Sequence, residues 1–300
     1  MSRFIDLKCD FGFKYCLSDE IVMKSFLNAI LEGETDRITS VKFENVEDPG
    51  ETREQRGVTF DLLCTTDRGE TVLIEMQNST QKYFRTRSMF YVYNLMRKQI
   101  TRGFKWDRME HDISQIFGIF IMGEKNGYLA KAVTRTSVYD RDELLEFWDR
   151  NHNFYVSLPH FQFNKENITI KDIWLYLFKD LGTMDRIDPS VYERADEGLL
   201  RLLEKANIAA LSEEDYNLYE ASMKALEDEM DMEKHGYELG KEEGMKEGMQ
   251  QGMQQGIQQG MQQGIQQEAF RYAKEMKKQG IPIDVIENLT HLPQSEIEKL

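Results

Sequence analysis

The sequence predicts an α/β fold that continues into an α-helical C-terminal extension. Short period-two apolar runs alternate with helix-period segments as far as residue 181. Hydrophobic residues make up 40% of the chain and aromatics 11%, enough to bury a core. Beyond residue 193 the strand patterns stop and helical apolar spacing continues alone.

Taken in order, residues 19–32 (DEIVMKSFLNAILE) set Ile21, Phe26, Leu27, Ile30 and Leu31 at helical spacing, which predicts a first helix. VKFENV (41–46) alternates like a strand, and EDPGETREQRG (47–57) reads as a polar loop. FDLLCTTDRGETVLIEMQ (60–77) reads as a hairpin with two apolar arms around DRG. A long helix is predicted over 79–102, with Gly103 as its C-terminal signal. Residues 112–124 and 127–139 read as two strands joined by a turn at Lys125-Asn126-Gly127. Another strand is predicted over 153–163, and a helix over 171–181.

Residues 193–234 hold 13 acids against 5 bases. Glycine then recurs every fourth residue from 236 to 264, and from Gly244 the unit is Gly-Met/Ile-polar-polar. This divides the chain into a core over 1–182, an acidic helical segment over 183–235, the repeat over 236–267 and a short helical tail over 268–300. Glycine costs about 1 kcal/mol per residue in a helix interior. A four-residue spacing nevertheless lines the glycines up in a stripe beside Met and Ile, and such a stripe admits close helix–helix approach. Self-association through the repeat is expected; a flexible Gln-rich linker is the plainer alternative. The tail, with Ile286, Leu292 and Ile297, reads as a small hydrophobic docking hairpin rather than a DNA reader.

A net charge of −15 argues against a protein that coats nucleic acid generally, although local charge matters more than the sum. Three cysteines (Cys9, Cys16, Cys64), no CxxC and no His at ligand spacing point to free thiols in a reducing compartment, not to a structural zinc site. No apolar run reaches membrane-spanning length and the N-terminus has no apolar signal core, so a cytoplasmic protein without a membrane partner is expected.

The hairpin carries the chemistry. If Asp67-Arg68-Gly69 is a three-residue loop with Gly69 in the left-handed position, Asp61 falls opposite Glu75. In that register Phe60, Leu62 and Cys64 share a face with Val72, Ile74 and Met76. Thr59, Asp61 and Leu63 share the other with Leu73, Glu75 and Gln77. Like charges opposite each other in a sheet repel. Either the pair shares a proton or a cation sits between them, and two carboxylates with a backbone carbonyl and waters suit a hard ion such as Mg²⁺. A solvent-facing polar end of an ordinary hairpin is the alternative.

No acid lies between Glu75 and Asp107, while Lys82, Arg85, Arg87, Arg97, Lys98, Arg102 and Lys105 are interleaved with aromatics. That pattern fits a phosphate-contacting surface, with aromatics inward and bases outward.

The ordered set of Asp61, a hairpin, Glu75-Met76-Gln77 and a basic helix resembles the PD-(D/E)XK nuclease superfamily. The closer likeness is to its transposase-like branch, the recombination-promoting nucleases. DFGFKYCLSDEIVMKSFLNAIL (10–31), with Asp10 and Phe13-Lys14, is similar to that branch's N-terminal segment. YFRTRSMFYVYNLMRKQITRGFKW (83–106) is similar to its helix after the active strands, at Arg87, Tyr91 and Gln99. The likeness covers residues 4–125 well and the tail loosely. It implies a mixed central sheet flanked by helices and a Mg²⁺- or Mn²⁺-dependent endonuclease acting on double-stranded DNA in recombination or mobile DNA. Carried over by position, Asp61 and Glu75 would ligate the metal and Gln77 would take the superfamily's lysine position. An amide orients by hydrogen bonds where a lysine supplies charge, so Lys14 or Arg87 would compensate. Asp10 would approach the metal or cap the N-terminal segment, and Lys82, Arg85, Arg97 and Lys98 would contact DNA. The competing expectation is a non-catalytic nuclease-fold protein that self-associates through its repeat.

Overall fold

Asp19 accepts hydrogen bonds from the backbone N–H groups of Ile21 and Val22, and so fixes the start of the predicted first helix. In the computed structural model, which describes residues 2–48, 57–79, 83–105, 107, 112–125 and 127–300, that helix is α2 (Glu20–Ile30), preceded by α1 (Asp10–Leu17). The strands are β1 (Val41–Phe43), β2 (Glu47–Asp48), β3 (Val58–Thr59), β4 (Leu62–Thr66) and β5 (Thr71–Gln77), followed by α3 (Phe84–Gln99). Then come β6 (Ile116–Met122), β7 (Val133–Tyr139) and β8 (Glu146–Ser157). The helices α4 (Ile170–Asp180), α5 (Pro189–Arg194), α6 (Glu197–Lys205) and α7 (Glu213–Lys278) follow, with α8 (Ile283–Thr290) and α9 (Gln294–Ile297) last. None of the described helices is long and apolar enough to cross a membrane.

Six strands form one mixed sheet in the order β1-β4-β5-β6-β8-β7. The β4–β5 pairing has the predicted register, with Leu62 opposite Ile74 and Thr65 opposite Thr71. Gly69 sets it: its φ of +80° closes the loop, where the Thr66 N–H bonds Glu70 O and the Gly69 N–H bonds Thr66 O. β5 and β6 run parallel, joined across α3, and β6 also runs parallel to β8. Every residue of β6 is buried, as expected of a strand with parallel neighbours on both sides and both faces covered.

One face of the sheet carries α1, α2, α4 and α6, with Phe13, Phe26, Trp174, Phe178 and Leu199 in its core. Gly198 lets α6 approach α2 closely, since a Cβ there would lie 2.3 Å from Ser25 Cβ. The other face carries α3, whose Phe84, Val92 and Leu95 cover Leu63, Leu73, Phe120 and Tyr155.

Several local expectations are corrected. β6 and β7 are not a hairpin: β8 lies between them, because it offers both a parallel edge to β6 and an antiparallel edge to β7. Asn126, at the expected turn, lies outside the described residues. Phe60 sits on the α3 face, not with Leu62 and Cys64, because the chain bends at Phe60–Asp61 and the alternation slips there. The predicted loop over 47–57 contains the first strand of a small β2–β3 ladder, with its partner beginning at Val58. α3 ends at Gln99, the backbone of Ile100 after it is extended, and Gly103 falls in the turn beyond. The aromatics of α3 are not all inward: Tyr83, Phe90 and Tyr93 are exposed beside the bases.

The chain divides into two compact units, Met1–Glu233 and Lys234–Leu300. In the first, the opening turns of α7 bury Tyr219 and Leu226 in the main core. In the second, the glycine repeat is helical within α7, and Ala273 packs with Ile286, Leu292 and Ile297 of the tail.

Candidate active site

The bend at Phe60–Asp61 builds the site. The β4–β5 ladder ends at Leu62–Ile74, and beyond it side chains replace main-chain pairing. Asp61 Oδ2 accepts the Met76 N–H at 2.8 Å, and the Asp61 N–H donates to Glu75 Oε1 at 3.1 Å. Each carboxylate is therefore oriented through one oxygen. The other oxygen of each accepts no hydrogen bond among the described residues, and both side chains line one cleft of ≈ 350 Å³. In an extended strand the N–H and C=O of one residue point the same way, so the Met76 carbonyl turns toward Asp61 as its N–H does.

Glu75 is buried and Asp61 half-buried. Burial raises the Asp61 carboxyl above its ordinary range. Burial, with the neighbouring Asp61 charge, pushes Glu75 up to about 8. Two buried acids in mutual contact do not ionise together cheaply, and a shared proton or a bound cation would relieve the cost.

The donor set fits a hard divalent cation: oriented carboxylate oxygens, each with a free lone-pair edge, and a main-chain carbonyl. Among the described residues no cluster of three or more His, Cys, Asp or Glu could hold an ion. Water and phosphate oxygens would complete the shell, as Mg²⁺ favours.

Positive charge reaches the pair from two sides. Arg87, on α3, donates to the side-chain amide oxygen of Gln77 (Oε1), and Lys14, on α1, pairs with Asp10 at 2.6 Å. Both cations favour the ionised forms of Asp61 and Glu75. Gln77 is buried at the end of β5, and its amide nitrogen donates to Ser79 Oγ at 2.8 Å. Its head group is thus fixed at both ends. Asp10 is exposed and is the first residue of α1; the capping atom there is Cys9 Sγ, which accepts the Gly12 N–H. The carboxyl of Asp10 lines the same cleft and acts against ionisation of Asp61.

Arg85, Arg97 and Lys98 are all exposed on α3. Arg97 stands ten residues beyond Arg87, about 15 Å along the helix, so it and Lys98 face a different part of any bound strand. Lys82 lies outside the described residues. Sequence reasoning missed the remaining wall of the cleft, which includes Lys8, Asn78, Ser222 and Glu229. The last two come from α7, some 150 residues from the hairpin. Its opening turns are tied down where Ser222 Oγ accepts the Phe11 N–H and the Tyr219 hydroxyl accepts the Asp6 N–H. The apolar spacing of Tyr219, Met223 and Leu226 was the available signal that this helix packs on the core.

An open-sided acid pair at the end of a strand of a mixed, helix-flanked sheet defines a nuclease-like class of protein. Residues 7–235 match the family model described as PD-(D/E)XK nuclease family transposase, and the chain belongs to that family. Comparison with curated proteins and comparison with solved structures gave no match.

Proposed function

We propose that the protein is a metal-dependent DNA endonuclease that hydrolyses phosphodiester bonds in double-stranded DNA, in the service of recombination or mobile DNA. The observation that carries this reading is the pair of carboxylates, Glu75 buried and Asp61 half-buried, each oriented through one oxygen and open at the other, in a cleft that Arg87 also lines and with the Lys14 charge favouring their ionised forms. Asp61 and Glu75 would hold Mg²⁺ or Mn²⁺, which when bound supplies an activated water and neutralises charge growing on the phosphate. Arg87 would add the positive charge that Gln77 lacks, while Gln77 orients by hydrogen bonds. Plasmid DNA incubated with the protein and Mg²⁺, Mn²⁺ or EDTA tests it. No cutting with either ion would leave a DNA-binding module.

The bases of α3 are proposed to track the DNA backbone. Replacing Arg85, Arg97 and Lys98 together by Gln should weaken binding and reduce the log–log salt slope by about 3, near one unit per lost phosphate contact. An unchanged slope would mean that these side chains face away from DNA.

Self-association is proposed to run through the repeat. A Cβ on any glycine from Gly236 to Gly264 would meet nothing within 4 Å, so packing inside the chain gives no reason for them. Met245, Met249, Met253, Ile257, Met261 and Ile265 lie exposed alongside. A second copy supplies both the missing neighbours and the second active site that a double-strand break calls for. A chain ending at Glu233 should fold, bind metal and nick plasmid more than it linearises it. Light scattering with a nicking assay checks this, and a full-length monomer that linearised efficiently would sink it.

A further inference from the structure

Helix α3 separates two clefts. It turns Arg87 and Tyr91 toward the acid pair, and Arg85, Met89 and Tyr93 toward a second cleft of ≈ 430 Å³ over β7 and β8. The volume is that of a small-molecule site. The lining of this second cleft has a feature that folding alone does not explain. Asn151 and Asn153, two residues apart on the same face of β8, are each only 2% exposed. Their amide oxygens are buried and have no hydrogen-bond partner among the described residues. Buried amides are nearly always paired, and an unpaired one is costly; two side by side call for a ligand. The sheet makes room for the amide of Asn153. Gly118 lies directly across from Asn153 on β6, and a Cβ there would fall 2.6 Å from the Asn153 oxygen.

Phe84, Tyr93, Tyr128 and Tyr155 give the cleft aromatic surface, among aliphatic side chains such as Met89 and Leu129 and the hydroxyls of β7, and Phe120 backs Tyr155 from behind the lining. Tyr155 stacks on Phe120 at 5.3 Å, Phe84 meets it edge-on, and its hydroxyl pairs with Ser88 Oγ at 3.1 Å. At the mouth, the Arg85 guanidinium lies 4.0 Å over the ring of Tyr128, and both residues are exposed. Aromatic surface, amides that both donate and accept, and a cation at the entrance fit a planar heterocycle with a polar edge, tethered to phosphate. We propose that this cleft receives a nucleobase swung out of the DNA strand whose phosphate lies at Asp61 and Glu75. The inference rests on the DNA reading above. Arg85 and Arg87 sit two residues apart on α3, so one strand passing over its first turns meets both clefts.

The test is fluorescence anisotropy of the full-length protein in EDTA with two labelled single strands of equal length and charge. One carries all its bases, and the other has abasic tetrahydrofuran units at alternate positions. The base-bearing strand should bind about tenfold tighter, the scale of one base stacked on aromatics. Replacing both amides in Asn151→Leu/Asn153→Leu should abolish that preference while the melting temperature holds or rises, since an unpaired buried group is removed. Tyr128→Ala, at the exposed mouth, cannot disturb the core and should lower the preference several-fold. A preference that survived both sets of changes would put the bases elsewhere and overturn the proposal. Equal affinity for the two strands, in a protein that cuts plasmid DNA, would sink this inference and leave the nuclease reading standing. A base preference lost in the variants, in a protein that never cuts, would do the reverse.

Discussion

Asp61→Asn and Glu75→Gln are each expected to lower Mg²⁺-dependent cleavage by about three orders of magnitude, yet to raise the melting temperature of the metal-free protein at and above neutral pH. The activity loss is the several kcal/mol of transition-state stabilisation that a held cation supplies, taken at about 4 kcal/mol. The stability gain follows from geometry. An amide at position 61 still accepts the Met76 N–H, and one at 75 still accepts the Asp61 N–H, so both orienting hydrogen bonds survive. What is deleted is the cost of burying an ionisable carboxyl beside another, met by holding a proton at neutral pH and by like-charge repulsion above it. Alanine at 61 would blur the result, since it strands the Met76 N–H. Cleavage assays and thermal melts in EDTA read the two effects separately. A variant that cut like the parent protein would remove its carboxylate from the site.

What made this pair legible in the sequence was local. Gly69 fixes the turn, the turn fixes the register, and the register brings residues 61 and 75 together. The same logic failed one residue further out. Period-two alternation assumes an unbroken strand, and Phe60 crosses to the α3 face because the chain bends there. That bend shapes the cleft: it gives the Met76 N–H to the Asp61 carboxylate in place of a main-chain partner on β4. The placement of β8 between β6 and β7 was illegible for a different reason. Two neighbouring strand patterns read equally well as a hairpin, and only the pairing of the third decides the order. The α7 wall of the cleft depends on tertiary contacts from a segment whose composition advertises solvent, with acids outnumbering bases. Asn151 and Asn153 gave no sequence signal, because an amide in a strand looks like surface until its neighbours are known.

Self-association through the repeat, as proposed, would be constrained by its pitch. In a helix of 3.6 residues per turn, a four-residue step overshoots by about 40°. The glycine stripe therefore winds around α7 and does not stay on one face. A straight partner could follow only about three consecutive glycines before they turned away. A longer contact requires two helices wound around each other right-handedly, the sense favoured when the repeat exceeds 3.6.

Metal affinity should rise about tenfold per pH unit below about 8 and level off above it. Glu75 is pushed up to about 8 by burial and by Asp61, so at neutral pH the metal-free site keeps a proton that an incoming cation must displace. Calorimetry at pH 7 in buffers of different ionisation enthalpy should count close to one proton released per ion bound, falling toward zero at pH 9. Stability carries the same linkage with a definite sign. A carboxyl raised in the folded state stabilises the fold fully below its unfolded pKa of 4.5, and that contribution is lost as pH climbs through about 8. The metal-free melting temperature should therefore carry a downward component between those values, absent in Glu75→Gln. Saturating Mg²⁺ should suppress the same component, since a cation between the carboxylates does the proton's work without titrating. A fold equally stable across that window, binding Mg²⁺ without releasing protons, would mean that Glu75 is already ionised and that the positive charges of Arg87 and Lys14 suffice to hold both carboxylates.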